Sequence, residues 1–178
     1  MKTTFSVPER NQVSEANQTI FDTLQKSLGF VPNLYASFAS SDHALSAFLN
    51  AQGAKTSLTG KEKEIVNLIV SQVNNCVYCL SAHTKFAKMN GFTDEQILEI
   101  RSGAASFDPK YDALVKLAKS IAENKGHASP EAIDAFTDQG YSTGSIIDVI
   151  MLAGLRIITN YVYAMTNPTV DFPSVPEL

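Results

Sequence analysis

Residues 59–91 read TGKEKEIVNLIVSQVNNCVYCLSAHTKFAKMNG, and this stretch decides the fold. Thr59 followed by Glu62 is a capping box, in which the hydroxyl accepts from a first-turn N–H and the carboxylate reaches back to the cap's own N–H. The apolar run Ile65-Val66, Leu68-Ile69-Val70 follows. Its Val and Ile favour strands by propensity, but the cap and the length favour a helix. Asn74-Asn75 is a turn-prone pair, so this helix is expected to end near Asn74. The next helix holds Cys76, Cys79 and His83. It stops at Asn90-Gly91, where a left-handed C-cap is easily made.

Helical punctuation continues outward from this stretch. Residues 14–28 space Ala16, Ile20, Leu24 and Leu28 along one face, with Gly29 as a stop. Pro32 opens a short helix. Ser41 or Asp42 caps a helix of about 42–54 that carries Leu45, Phe48 and Leu49. Downstream, Thr93 with Gln96 is a second capping box, Asp108-Pro109 starts a helix that ends near Gly126, and Ser129-Pro130 starts one that ends near Gly140. The last helix runs from about Thr143 to Met165, before Asn167-Pro168, and the proline-containing tail 166–178 is expected to be extended. No strand alternation competes with this pattern. The expected fold is all-α, a compact bundle of about seven to nine helices in a single domain, 1–178, whose motif core spans about 58–100.

Composition fits that expectation and narrows the function. With 178 residues, 44% of them hydrophobic and 18% charged, the chain can build a core without disulfide staples. A net charge of −4 with no Lys/Arg cluster argues against a nucleic-acid partner. The most apolar stretch, Ile146–Ile158, is shorter than a bilayer span and contains Asp148 and Arg156, so no membrane is expected. No apolar signal-peptide core follows the N-terminus, and a cytoplasmic location is expected. The helix from about 144 to 158 is apolar nearly all round and requires burial on every side, either as a central core helix or partly against another subunit. A homo-oligomer is expected.

The chain has two cysteines, both in one C-x-x-C. At i, i+3 and i+7, Cys76, Cys79 and His83 fall on one helix face with Leu80, Phe86 and Ala87. A thiolate is a nucleophile, and His83, one turn from Cys79, can take its proton directly or through water. A sulfenic acid formed on one cysteine can be captured by the other, and the resulting disulfide can exchange with an outside dithiol. Glu64 lies beside Asn67 and Ser71 on a polar stripe. That stripe is either a solvated helix edge or the face that meets the cysteine helix and orients His83. A zinc site built from Cys76, Cys79, His83 and Glu64 stays open, as do inert buried thiols and general disulfide exchange. His43 and His127 read as surface residues. Tyr78 reads as packing, or as a hydroxyl for the site.

Glu64, eleven intervening residues and C-V-Y-C-L-S-A-H at 76–83 resemble the signature of the carboxymuconolactone decarboxylase superfamily. The match is closer to its alkylhydroperoxidase D (AhpD)-like branch, E-x(11)-C-x-x-C-x-x-x-H. The N-N-C-V-Y-C form at 74–79, G-F-V-P-N at 29–33 and L-T-G-K-E-K-E at 58–64 resemble its peroxidase-related members. The resemblance implies an all-α oligomer, a trimer or hexamer, that reduces organic hydroperoxides and is recharged by a dithiol or lipoyl-protein reductant. No haem, flavin or metal cofactor is implied. It implies Cys79 as the peroxide-reactive thiol, Cys76 as its disulfide partner, and His83 with Glu64 as a proton relay. The best-known members carry a second His before the second Cys, where this chain has Tyr78. The helix dipole by itself favours Cys76 as the more acidic thiol. Proximity to a base favours Cys79, and Cys79 is the expectation adopted.

Overall fold

A computed structural model of the chain describes residues 5–178. Among them are nine α-helices, a short 3-10 turn at Arg10–Gln12, and no strand. The helices are α1 Glu15–Leu28, α2 Asn33–Phe38, α3 Ala44–Gln52, α4 Gly60–Val73, α5 Val77–Met89, α6 Asp94–Ser102, α7 Pro109–Glu123, α8 Pro130–Asp138 and α9 Thr143–Thr166. The all-α expectation holds. The described residues form two compact units: 5–54 with Tyr161–Asp171, and Lys55–Asn160 with Phe172–Leu178.

In the larger unit α4 is the central element, packed against α5, α6 and α7, with α8 on α7. Ile65, Val66, Leu68, Ile69 and Val70 are all fully or almost fully buried. Burial of each such side chain contributes about 1.5–3 kcal/mol, more than enough to override the weak helix propensity of Val and Ile. Both halves of the Thr59–Glu62 box form: Thr59 Oγ1 accepts from the Glu62 N–H at 3.3 Å, and Glu62 Oε2 accepts from the Thr59 N–H at 2.7 Å. The Thr93–Gln96 box caps α6 in the same way.

In the smaller unit α1 and α2 both pack on α3, with the Phe38 and Phe48 rings 5.0 Å apart. The Asn33 N–H at the start of α2 donates to Asp171 at 2.6 Å, and the Asn33 side chain donates to the Thr169 carbonyl. Two boundaries differ from expectation. Pro32 is the N-cap of α2 and not its first residue. Helix α3 begins at Ala44, because Ser41 Oγ accepts from the N–H groups of His43 and Ala44 and holds that turn outside the helix.

Helix α9 departs most from its reading. It is not buried all round: Ile147 and Met151 are 59% and 56% exposed, and Ile150 and Ile158 are exposed beside them. Its opposite face is buried and partly polar, with Ser145, Arg156, Thr159 and Asn160 turned inward. With 24 residues and a mean hydropathy of 1.5 in its most apolar window, it is long and apolar enough to cross a membrane, which the shorter stretch measured on the sequence was not. Its residues up to Asn160 belong to the larger unit and bond to it through polar side chains. Arg156 donates to Asn67 of α4, and Asp148 accepts from the Ser57 N–H at 2.7 Å.

Candidate functional site

The site starts at the turn between α4 and α5. Asn75 takes φ 52°, a left-handed conformation that asparagine tolerates better than most residues. The next N–H, that of Cys76, donates back to the Ser71 carbonyl at 2.9 Å. Cys76 therefore stands outside α5, in extended conformation, as its N-cap. Its sulfur accepts from the Cys79 N–H at 3.3 Å, the bond that a serine or aspartate makes at this position in other helices. The expectation that both cysteines share a helix face with His83 is corrected here. Cys79 and His83 belong to α5, and capping geometry brings Cys76 to them.

Capping sets the two sulfurs side by side. The Cys76 thiol donates to Cys79 Sγ at 2.7 Å, and both are free thiols, 2% and 1% exposed. An S–S bond of about 2.05 Å needs little further approach. One turn along, His83 Nδ1 lies 2.7 Å from Glu64 Oε2. Glu64 is buried, so the polar stripe of α4 is no solvated edge. Asn67 Nδ2 donates to the other Glu64 oxygen at 3.3 Å.

The opposite wall comes from α9, which the sequence reading treated only as an apolar helix. Arg156 is 5% exposed. Its Nε donates to Asn67 Oδ1 at 3.1 Å and its Nη1 to Thr159 Oγ1 at 3.1 Å. Thr159 Oγ1 lies 3.7 Å from Cys79 Sγ and donates its own proton to the Arg156 carbonyl. A continuous polar chain thus runs Cys79–Thr159–Arg156–Asn67–Glu64–His83. A legible signal existed: Arg156 and Thr159 are polar positions one turn apart in a long apolar helix, and buried polar groups require partners.

These contacts separate the two thiols. The hydrogen bond from Cys76 holds Cys79 well below the ordinary thiol range, helped by the positive charges of Arg156 and His83 and by Thr159, against the opposing effect of burial. Cys76 is pushed up by that same bond to Cys79 and by burial, against the Cys79 N–H and the Asn160 amide. Both effects favour a negative charge on Cys79 over one on Cys76.

Aromatic side chains close the near side. The Phe172 ring stands edge-on to Tyr78 at 5.7 Å and to Phe86 at 6.1 Å, and Phe86 stands edge-on to His83 at 5.9 Å. Arg101 Nη2 donates to the Pro176 carbonyl at 2.9 Å and so fixes the tail that carries Phe172. Tyr78 is buried, with its ring against Phe172. Among the described residues no three His, Cys, Asp or Glu side chains converge as a metal cluster. His43 and His127 are exposed.

Residues 40–120 match the model of the carboxymuconolactone decarboxylase family. A relative from Paracoccus denitrificans, uncharacterized protein 4 in its cox locus, is 34% identical over 86 residues, 44% of this chain and 75% of the relative. The chain belongs to the carboxymuconolactone decarboxylase family. Within it, the fold is that of the AhpD-like branch. It is similar to an AhpD core structure, an uncharacterized peroxidase-related protein from Ralstonia eutropha JMP134, at TM-score 0.83 and 18% identity, covering 95% of this chain and 91% of that one. It is also similar to the debrominase Bmp8 in complex with 2,3,4-tribromopyrrole, at TM-score 0.78 and 16% identity, covering 96% and 93%. At these identities the likeness is one of fold, and the function has to be argued from this chain's own site.

Proposed function

We propose that this chain is a thiol-dependent hydroperoxide reductase of AhpD-like type, an antioxidant enzyme acting on organic hydroperoxides. One observation carries the reading: the acidified Cys79 sulfur lies 2.7 Å from a second thiol and one helical turn from a carboxylate-bound histidine. The Cys79 thiolate attacks the terminal oxygen of ROOH. An S–O bond forms, the O–O bond breaks, and its electron pair leaves with the alkoxide. Protonated His83, oriented by Glu64, gives that alkoxide its proton and releases ROH. The Cys76 sulfur then displaces hydroxide from the Cys79 sulfenic acid, and water and the Cys76–Cys79 disulfide result. A dithiol or lipoyl protein reduces the disulfide by exchange, and its own two thiols become the disulfide. The residues need no haem, flavin or metal for any step, and a reducing compartment such as the cytoplasm keeps the pair cycling. Copies of the chain associate through the exposed apolar face of α9 as a trimer or hexamer.

Thiol counting tests this. Reduced protein receives one equivalent of cumene hydroperoxide, is alkylated, and is weighed intact. Both thiols should become unavailable together, with one equivalent of alcohol formed, and dihydrolipoamide should restore them. The Cys76→Ser chain should stop at a sulfenic acid trapped by dimedone, and Cys79→Ser should not react. If both thiols of the native chain stay alkylatable, the peroxidase reading is wrong. Stoichiometric zinc in protein purified without chelator would then favour a metal site, and oxidation by tribromopyrrole would favour the debrominase's substrate class.

A further inference from the structure

Arg156 enters none of the steps above, yet it is a buried cation at their centre. A guanidinium keeps its proton in proteins, and a charge out of water persists only where opposite charge and hydrogen bonds compensate it. Among the described residues no carboxylate lies within ion-pair distance of Arg156. Both of its side-chain partners are neutral, Thr159 and Asn67. Each of these partners touches an acid on its far side: Thr159 touches Cys79, and Asn67 touches Glu64.

We propose that Arg156 is a positioning residue that keeps the buried site electrically neutral, its charge offsetting that of the Cys79 thiolate across the intervening Thr159 and that of the Glu64 carboxylate by way of Asn67. The assignment rests on Cys79 being the reacting thiol, as proposed above. Before attack the site holds a thiolate, an imidazolium, a carboxylate and a guanidinium. After attack His83 has lost its proton to the alkoxide and the sulfur is a neutral sulfenic acid, which leaves the carboxylate and the guanidinium. Charges cancel at both ends of the step. Without Arg156 one negative charge is uncompensated throughout, and the site relieves it by returning a proton to sulfur. His83 cannot do both jobs, because the proton that balances the thiolate is the one it must give away.

The charged and titratable groups that face the sulfur are Cys76 at the cap, His83 on α5 and Arg156 on α9, with Glu64 of α4 behind His83. The test is the pH dependence of iodoacetamide alkylation at Cys79, assigned by peptide mass, in reduced native protein and in Arg156→Met, Arg156→Lys and Thr159→Val. The native midpoint should lie well below the ordinary thiol value of about 8.5. Arg156→Met should raise it by about one unit or more, a tenfold or greater loss of thiolate at a fixed pH below the midpoint. Arg156→Lys should restore part of the shift, because it keeps the charge and loses the fork. Thr159→Val keeps the Arg156 charge and should move the midpoint by less than Arg156→Met does. If Arg156→Met does not fold, Arg156→Gln, which also removes the charge, and Arg156→Lys decide. Folded variants, verified by circular dichroism, whose midpoints stay at the native value overturn the proposal. A native chain inert toward peroxide, whose midpoint still moves with Arg156, overturns the peroxidase reading and supports this one.

Discussion

His83 Nδ1 and Glu64 Oε2 lie 2.7 Å apart across the α4–α5 turn, and both side chains are buried. The contact commits Nδ1 to the carboxylate and leaves Nε2 as the nitrogen for proton exchange, with the ring orientation fixed. His83→Ala should therefore slow peroxide turnover on the order of 100-fold or more, the usual scale for losing a general acid. Glu64→Gln should cost less, because the amide can still hold the ring but cannot stabilise the imidazolium. Stopped-flow rates of disulfide formation check both. A Glu64→Gln chain at full rate would reduce the carboxylate to a structural part.

Phe172 bears on access to the thiols. Its ring lies against Tyr78 and Phe86, the Lys85 ammonium sits 5.8 Å from the ring centre, and the Arg101–Pro176 bond fixes the tail beyond it. Aromatic pairs of this kind contribute about 0.5–1.5 kcal/mol each beyond area burial. Phe172→Ala should loosen the tail and raise the alkylation rate of Cys79 severalfold at every pH, without moving the midpoint. An unchanged rate would mean that reagents reach the sulfur by another route.

How much of this was legible in the sequence depended on range. Local chemistry was: the Thr59–Glu62 and Thr93–Gln96 boxes, the stop at Gly29 and the turn at Asn74-Asn75 all use residues within four positions of one another. The approach of Glu64 to His83 was one of two open readings, because a single turn joins their helices. Arg156 could not be placed, since its partner Asn67 is 89 residues away and no local rule links them. Cys76 was misplaced for a different reason. Cysteine rarely reads as a cap, so the i, i+3 spacing suggested a helix face where the chain builds an N-cap and its third helical residue.

The other end of α4 titrates. Burial pushes the Glu62 carboxyl up, but the Thr59 N–H, the Tyr141 hydroxyl at 2.7 Å and Lys110 together hold it below the usual carboxylate range. A group lowered on folding contributes stability that is present above its unfolded value, about 4.3, and lost as pH falls through the folded one. Glu62→Gln offers one acceptor oxygen where Thr59 and Tyr141 need two, so one buried donor is left unpaired. At pH 7 it should cost about 1–3 kcal/mol in urea unfolding. Below pH 4 the gap to the native chain should narrow, because protonation gives the native carboxyl the same defect. A gap independent of pH would place the cost in packing.

The outer face of α9 sets the last expectation. Ile147, Ile150, Met151 and Ile158 recur at helical spacing and are all exposed in a single copy of the chain. Solvent contact at a contiguous apolar stripe is unfavourable by about 25 cal/mol for every Å² that another surface could cover. The proposed oligomer covers it with further copies of the same helix. Met151→Glu changes nothing inside one copy, because the side chain already points to water, and helix propensity is barely altered. It should nevertheless convert the native oligomer to monomer in sedimentation velocity at micromolar concentration, with helical content by circular dichroism unchanged. A native chain that already sediments as a clean monomer would leave the stripe uncovered and remove the oligomer from the proposal.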